Sequence, residues 1–206
     1  MFKDRQDAGR QLGRALEKYR DEDLLVLAIP RGGVEVGYEV AKHLDADFNL
    51  LIARKLPYPY NPEAGFGAIA EDGSAFIFEG ERHRLSDQLI EQIEEQQREE
   101  IQRRIEVLRG GEPLPELADR TVILVDDGIA MGSTMRASIK LCKKRQAGQI
   151  VVAVPVAGKR VANQIADLVD DLVILEQPTL FRAVAQVYHN WYDVPDSEVL
   201  DIMGRR

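Results

Sequence analysis

A single cysteine, Cys142, three histidines and one tryptophan among 206 residues leave several classes of function without material. One thiol cannot close a disulfide within the chain, which argues against a disulfide-stapled secreted scaffold and fits a reducing cytoplasm. His43, His83 and His189 are scattered and show no Cys/His spacing suited to a metal. They also form no nucleophilic triad that sequence order could support. No apolar run reaches the roughly 20 residues of a membrane helix. The first residues, M-F-K-D-R-Q-D, lack the apolar core of a signal peptide. Positive charge is in deficit, with 27 Lys and Arg against 35 Asp and Glu, a net charge of −8. That balance argues against a nucleic-acid partner. It still permits a local cationic cluster to hold an anionic small molecule. There is no internal repeat and no low-complexity linker. The length suits one α/β domain over 1–206, enough to bury a proper core.

What is present centres on residues 122–134, V-I-L-V-D-D-G-I-A-M-G-S-T. Val122 to Val125 read as a fully buried strand. Asp126 and Asp127 stand at its carboxyl end, and a glycine-bearing loop leads to Ser133 and Thr134 at the start of a helix. In a parallel α/β sheet, ligands bind at the carboxyl ends of strands. A helix start offers backbone N–H groups to a phosphate. Paired carboxylates repel a phosphate and suit hydroxyls or a cation. Together they describe a site for a phosphorylated ribose.

A second unit of the same kind runs from 24 to 44. The strand L-L-V-L-A-I is followed by Pro30-Arg31-Gly32-Gly33 and then a helical pattern from Val34 to Leu44. The glycines do not have the G-x-G-x-x-G spacing of dinucleotide folds. Residues 47–53 read as another buried strand, with Arg54 and Lys55 at its ligand-side end. They are either phosphate contacts or two solvated charges.

The stretch 122–134 resembles the phosphoribosyl diphosphate (PRPP) signature of type I phosphoribosyltransferases: four apolar residues, two acids, a short turn, then T-G-x-T. The loop P-R-G-G-V-x-x-G is similar to the pyrophosphate loop of that family, especially in the xanthine-guanine enzymes. The resemblance implies a Rossmann-like parallel sheet with helices on both faces and a small hood or lid. Asp126 and Asp127 would meet the ribose hydroxyls. Ala130, Met131, Gly132, Ser133 and Thr134 would wrap the 5-phosphate. Arg31, Gly32, Gly33, Arg54 and Lys55 would meet the pyrophosphate, through a loop that often carries a non-proline cis peptide. Asp126, Asp127, Arg31 and Lys55 would form the catalytic set. Mg²⁺ would arrive on PRPP, with no direct protein ligand and with water between it and Asp126 and Asp127. The partners implied are PRPP and a small nitrogenous acceptor. Met131 departs from the pattern, because the family usually has Thr there and a thioether cannot donate a hydrogen bond. Enzymes for 6-oxopurines usually carry a third acid where this chain has Ala130. The overall resemblance is to a group of sequence-predicted phosphoribosyltransferases of unknown acceptor. The alternative is a PRPP- or nucleotide-binding regulator on the same fold without turnover. A third reading is a nucleotide-binding protein that hydrolyses a nucleotide.

The remaining segments frame this core. Residues 5–19 give one apolar helix face to which we assign no chemistry. Residues 56–65 carry three prolines and read as a loop, in the place of the family's mobile catalytic loop. Residues 66–70 and 74–79 read as two short strands about the Asp72-Gly73 turn. Residues 81–109 read as one long amphipathic helix stopped by Gly110 and Gly111; it is a solvated outer helix, or else a lid or the contact of a homodimer. The segment 56–111 thus forms a loop, a hairpin and a helix. Two further strands, 149–156 and 171–176, flank a helix over 158–168. In 177–206, Phe181, Val184, Val187, Tyr188, Trp191 and Tyr192 fall on one helical side, either as a hood over the base or as core, before a last short helix.

Overall fold

The computed structural model describes residues 1–205. Alternating apolar strands and amphipathic helices assemble as β1 (Leu24–Ala28), β2 (Asp47–Leu50), β6 (Thr121–Val125), β7 (Gln149–Val156) and β8 (Asp171–Glu176), a parallel sheet in the order β2-β1-β6-β7-β8. On one face, helices α1 (Arg5–Ala15) and α2 (Gly32–Leu44) pack Leu12, Leu16, Val36 and Val40 onto Val26, Ile123 and Val151. On the other, α5 (Ser133–Lys144) and α6 (Lys159–Ala166) cover Leu25, Val122, Leu124 and Val152 with Met135, Ile139, Leu141 and Ile165. Both faces of the central strands are therefore dry. This explains why they read as continuous rather than alternating apolar runs. The α/β class expected from the sequence is the class observed.

The strand order reverses direction between β1 and β6. Chain from β1 leads outward to β2, while β6 leads the other way to β7. A crevice opens at the carboxyl ends of strands where such a reversal occurs. The two motif loops, 29–32 and 126–132, sit there side by side, with the Ile29 amide donating to the Val125 carbonyl at 2.9 Å.

A second, antiparallel sheet, β3 (Ala53–Tyr58), β4 (Asn61–Ala70) and β5 (Ala75–Ile77), corrects two expectations. The run 47–53 is not one strand. It breaks at Leu51 and Ile52, and β2 is an edge strand of the main sheet, so Arg54 and Lys55 belong to the hairpin instead. The proline-rich run 56–65 is not a loop throughout. Pro57 is accommodated because β3 is an edge strand whose register slips on either side of it. The exposed hairpin tip is at Pro59 and Tyr60.

The long helix also differs in detail. A short turn of helix, α3 (Glu81–Arg84), ends at Leu85, and α4 (Asp87–Arg109) restarts with the Ser86 hydroxyl accepting from the Leu89 amide. Such a cap stabilises a helix by about 1 kcal/mol. Ile90, Ile93, Ile101, Ile105 and Leu108 bury the expected stripe against Ile52, Leu56 and Phe66 of the hairpin side, and Gly110 and Gly111 stop the helix at positive φ. Arg109 anchors its end. Its guanidinium bonds both oxygens of Glu71 and the Leu50 carbonyl. Helix α7 (Asp196–Met203) packs beside α4 through Val199, Ile202 and Met203.

Residues 177–195 do not form the aromatic-faced helix expected from spacing. Only a 3-10 turn, Val184–Val187, is helical. The backbone instead bonds to the chain's beginning: the Phe2 amide to the Val187 carbonyl, and the His189 and Asn190 amides to the Phe2 and Lys3 carbonyls. Those bonds satisfy the groups a helix would otherwise pair.

Candidate functional site

The site is built by two close approaches that only glycine permits. A Cβ on Gly32 would overlap the Asp127 carboxylate and lie 2.6 Å from its Cγ. A Cβ on Gly33 would fall 2.9 Å from both the Asp126 Cα and the Val125 carbonyl oxygen. The 30–33 loop therefore lies directly against the paired acids. The Pro30–Arg31 peptide is cis, as the resemblance implies.

Asp126 and Asp127 are held differently. The Asp126 carboxylate accepts the Asp127 backbone amide at 2.8 Å. Its pKa is pushed well above the usual carboxylate value, first by burial and then by the neighbouring Asp127 charge. Asp127 is also pushed up by burial, with the Arg5 guanidinium opposing the shift. Burial and the neighbouring charge thus disfavour the charged form of Asp126, while Arg5 favours that of Asp127.

Arg5 is the residue that sequence reasoning missed. It is 3 % exposed, on the helix to which no chemistry was assigned. Its Nε donates to Asp127 Oδ2 at 2.9 Å, and its Nη1 donates to the Tyr192 carbonyl at 3.0 Å and lies 3.8 Å from Glu35 Oε2. The guanidinium stacks on Trp191, 4.0 Å from the ring centroid. Tyr188 donates its hydroxyl to the Asp127 carbonyl at 2.7 Å. The tail aromatics are therefore divided. Tyr188 and Trp191 brace the Arg5–Asp127 pair, while Phe181 leans on Gly158. One signal could have revealed Arg5: a cation at the first position of a helix opposes the helix dipole and calls for a partner.

The second flank is a cavity of about 430 Å³ lined by Lys55, Glu63, Asp126, Gly128 and the whole run from Ile129 to Met135, with Val184. Ala130, Met131, Gly132, Ser133 and Thr134 thus all line one cavity. Helix α5 begins without a side-chain cap, and Gly132 before it takes φ +76. Its first-turn amides are those that no helix can pair internally. The Met131 side chain is 64 % exposed, so its contribution to the loop is backbone.

The cations divide between two faces, as neighbours in a strand must. Lys55 enters the cavity, its stem lying on Gly65 and its Nζ donating to the Glu63 carbonyl at 2.6 Å. Arg54 faces α4 and donates to Gln97 at 3.3 Å. Burial lowers its pKa, and the charges of Arg104, Arg103 and Arg31 lower it further while Glu100 opposes. Arg31 itself reaches Asp196, at the start of α7, at 3.5 Å. Arg31 and Arg104 are thus near enough to act on Arg54, although Arg104 is itself paired with Glu100 at 2.9 Å.

No helix is long and apolar enough to cross a membrane among the described residues. No group of three or more potential metal ligands occurs among them either.

A family model described as "Phosphoribosyl transferase domain" matches residues 2–190, which include both strand-loop-helix units. A Mycobacterium tuberculosis protein named "Putative phosphoribosyl transferase", in two strains of that organism, is 39 % identical over 207 residues. That match takes in 100 % of this chain and 47 % of the relative, so the chain spans about half the length of the curated relatives it matches. The crystal structure of TT1426 from Thermus thermophilus is 34 % identical, with a TM-score of 0.83 over 98 % of this chain and 97 % of that one. With the paired acids, the glycine loop and the 129–134 run all following the carboxyl ends of the neighbouring strands β1 and β6, the match over residues 2–190 leads to one assignment: this chain belongs to the phosphoribosyl transferase family.

Proposed function

We propose that this chain transfers the 5-phosphoribosyl group of PRPP to a nitrogen of a small nucleobase-like acceptor and releases pyrophosphate. The observation that carries this reading is the contact of the 30–33 loop with Asp126 and Asp127, of which Asp126 also lines the cavity of the 129–134 loop. A sugar held at the acids would extend its 5-phosphate one way and its pyrophosphate the other. The amides of 130–134, with the Ser133 and Thr134 hydroxyls, take the phosphate. Arg31, Arg54 and the amides of Gly32 and Gly33 take the pyrophosphate, while Lys55 reaches in from the hairpin. Asp126 and the open oxygen of Asp127 take the ribose hydroxyls.

In the reaction, the acceptor nitrogen's lone pair forms a bond to C1 as the C1–oxygen bond to pyrophosphate breaks. Positive charge develops on the sugar and negative charge on the leaving group. Preorganised cations and amides around the leaving group stabilise that separation without reorganising. Two carboxylates with few other protein ligands suit a Mg²⁺ that brings substrate oxygens and waters with it. Magnesium would neutralise charge on pyrophosphate when bound. The hairpin tip at Tyr60 would fold over the crevice and exclude water.

The test is release of pyrophosphate from PRPP and Mg²⁺ across a panel of nitrogenous acceptors. Acceptor-dependent release that disappears in Asp126→Asn is expected. PRPP binding without release from any acceptor would favour the regulatory reading, to which Met131 in place of a hydroxyl residue lends support. Base release from a nucleotide with water alone would favour a hydrolase.

A further inference from the structure

Among the described residues three arginines are buried, and one of them has no counter-ion. Arg5 lies on Asp127 and Glu35, and Arg109 on Glu71. Arg136, at the end of the first turn of α5, is 6 % exposed, yet no carboxylate among the described residues lies within ion-pair reach of it. Its partners are neutral. Nη1 donates to the Met131 carbonyl at 2.9 Å and Nη2 to Gln164 Oε1 at 2.7 Å. The guanidinium also faces the rings of Phe76 and Phe78, at 5.0 and 6.0 Å. Burial lowers its pKa with nothing opposing. An uncompensated buried cation is costly. A chain with 35 acidic residues has nevertheless left it unpaired.

The position explains the cost. Arg136 lies directly behind the 129–134 loop. A Cβ on Gly132 would fall 2.9 Å from its Nη1, so loop and guanidinium are in contact. We propose that Arg136 is a positioning residue that holds the Met131 carbonyl and supplies, from behind the loop, the fixed positive charge against which the loop binds a dianionic phosphate. The missing counter-ion is the ligand. This also accounts for Met131. A loop backed by a full charge can hold its anion through amides alone, without the hydroxyl that the family pattern has there.

The inference rests on the proposed 5-phosphate site, and the test separates the two. Gln164→Glu sets a carboxylate beside the guanidinium and leaves every cavity residue in place. If Arg136 serves only packing, the new ion pair stabilises the fold and ligand binding is unchanged or improved. If Arg136 serves charge, melting temperature rises while affinity for ribose 5-phosphate falls roughly fivefold, by the Coulomb effect of one nearby compensating charge. Affinity for ribose 5-sulfate, of the same shape with one charge fewer, falls about half as far on a logarithmic scale. Arg136→Gln should repeat the phosphate-selective loss, and Arg136→Lys should restore most of it. Equal losses for both ligands, or none, in Gln164→Glu would overturn the proposal. Failure of the unaltered protein to bind ribose 5-phosphate would overturn the site itself.

Discussion

Arg5→Met should destabilise the protein by about 3 kcal/mol, the lower end of what breaking a buried ion pair costs. The side chain fills the same space without charge, so packing on Trp191 is largely kept and the electrostatic loss dominates. Glu35, 4 % exposed, loses its cation and so does Asp127. The lower end is expected because burial already raises the Glu35 pKa, with the Glu198 charge adding to it. Glu35 can therefore take up a proton instead of remaining a buried anion. In a chain of this length, about 3 kcal/mol corresponds to a fall in melting temperature of about 6–12 °C. Urea denaturation reads the energy directly. The same variant should bind PRPP roughly tenfold more weakly, because Asp127 loses the partner that fixes its orientation. Arg5→Lys keeps the charge without the planar fork and should lie between the two. A loss below about 1 kcal/mol would mean that Arg5 is not the partner on which Asp127 depends.

Gly32→Ala should leave a folded protein with little function. The added methyl overlaps a carboxylate that cannot swing aside, since Asp127 is tied to Arg5 by its side chain and to Tyr188 by its carbonyl. Either the 30–33 loop or the acid must move by about an ångström. Such overpacking typically costs about 1–3 kcal/mol of stability. A misplacement of that size can cost about a hundredfold in rate. The expected result is thus a modest fall in melting temperature with loss of PRPP-dependent turnover by roughly two orders of magnitude. Full activity with a normal melting temperature would show that the loop and acids need not touch. Asp127→Asn, which removes charge and preserves shape, provides the comparison. Its loss should be nearer tenfold, the worth of a charged hydrogen bond.

The two strand-loop-helix units were legible because each is local. A buried strand, a glycine turn and a helix start within about 20 residues carry their own geometry. Residues 24–44 and 121–144 accordingly fold where the pattern places them. What the sequence did not disclose is long-range. Arg5 and Asp127 are 122 positions apart, and the apolar spacing of α1 speaks only for the face of the helix that meets the sheet. The run Asn49 to Ala53 hid a change of sheet, because both of the sheets it joins bury their apolar residues. Prolines argued against a strand from residue 56 onward, but the argument holds for central strands and β3 is an edge. The tail aromatics do have helical spacing. The backbone there pairs with residues 2 and 3 instead, a partner that no local pattern contains. Arg136 was hidden for a related reason, since an arginine in an amphipathic helix reads as a surface charge until its neighbours are known.

The central claim is that the crevice between β1 and β6 binds PRPP through Asp126 and Asp127. Calorimetric titration of PRPP with Mg²⁺ into the unaltered protein, and into the double variant Asp126→Asn, Asp127→Asn, tests it most directly. The account predicts saturable one-site binding by the former and at least a roughly tenfold loss in the latter. Equal binding by both would place the ligand elsewhere, and no binding by the unaltered protein would mean that its phosphate loop serves another ligand.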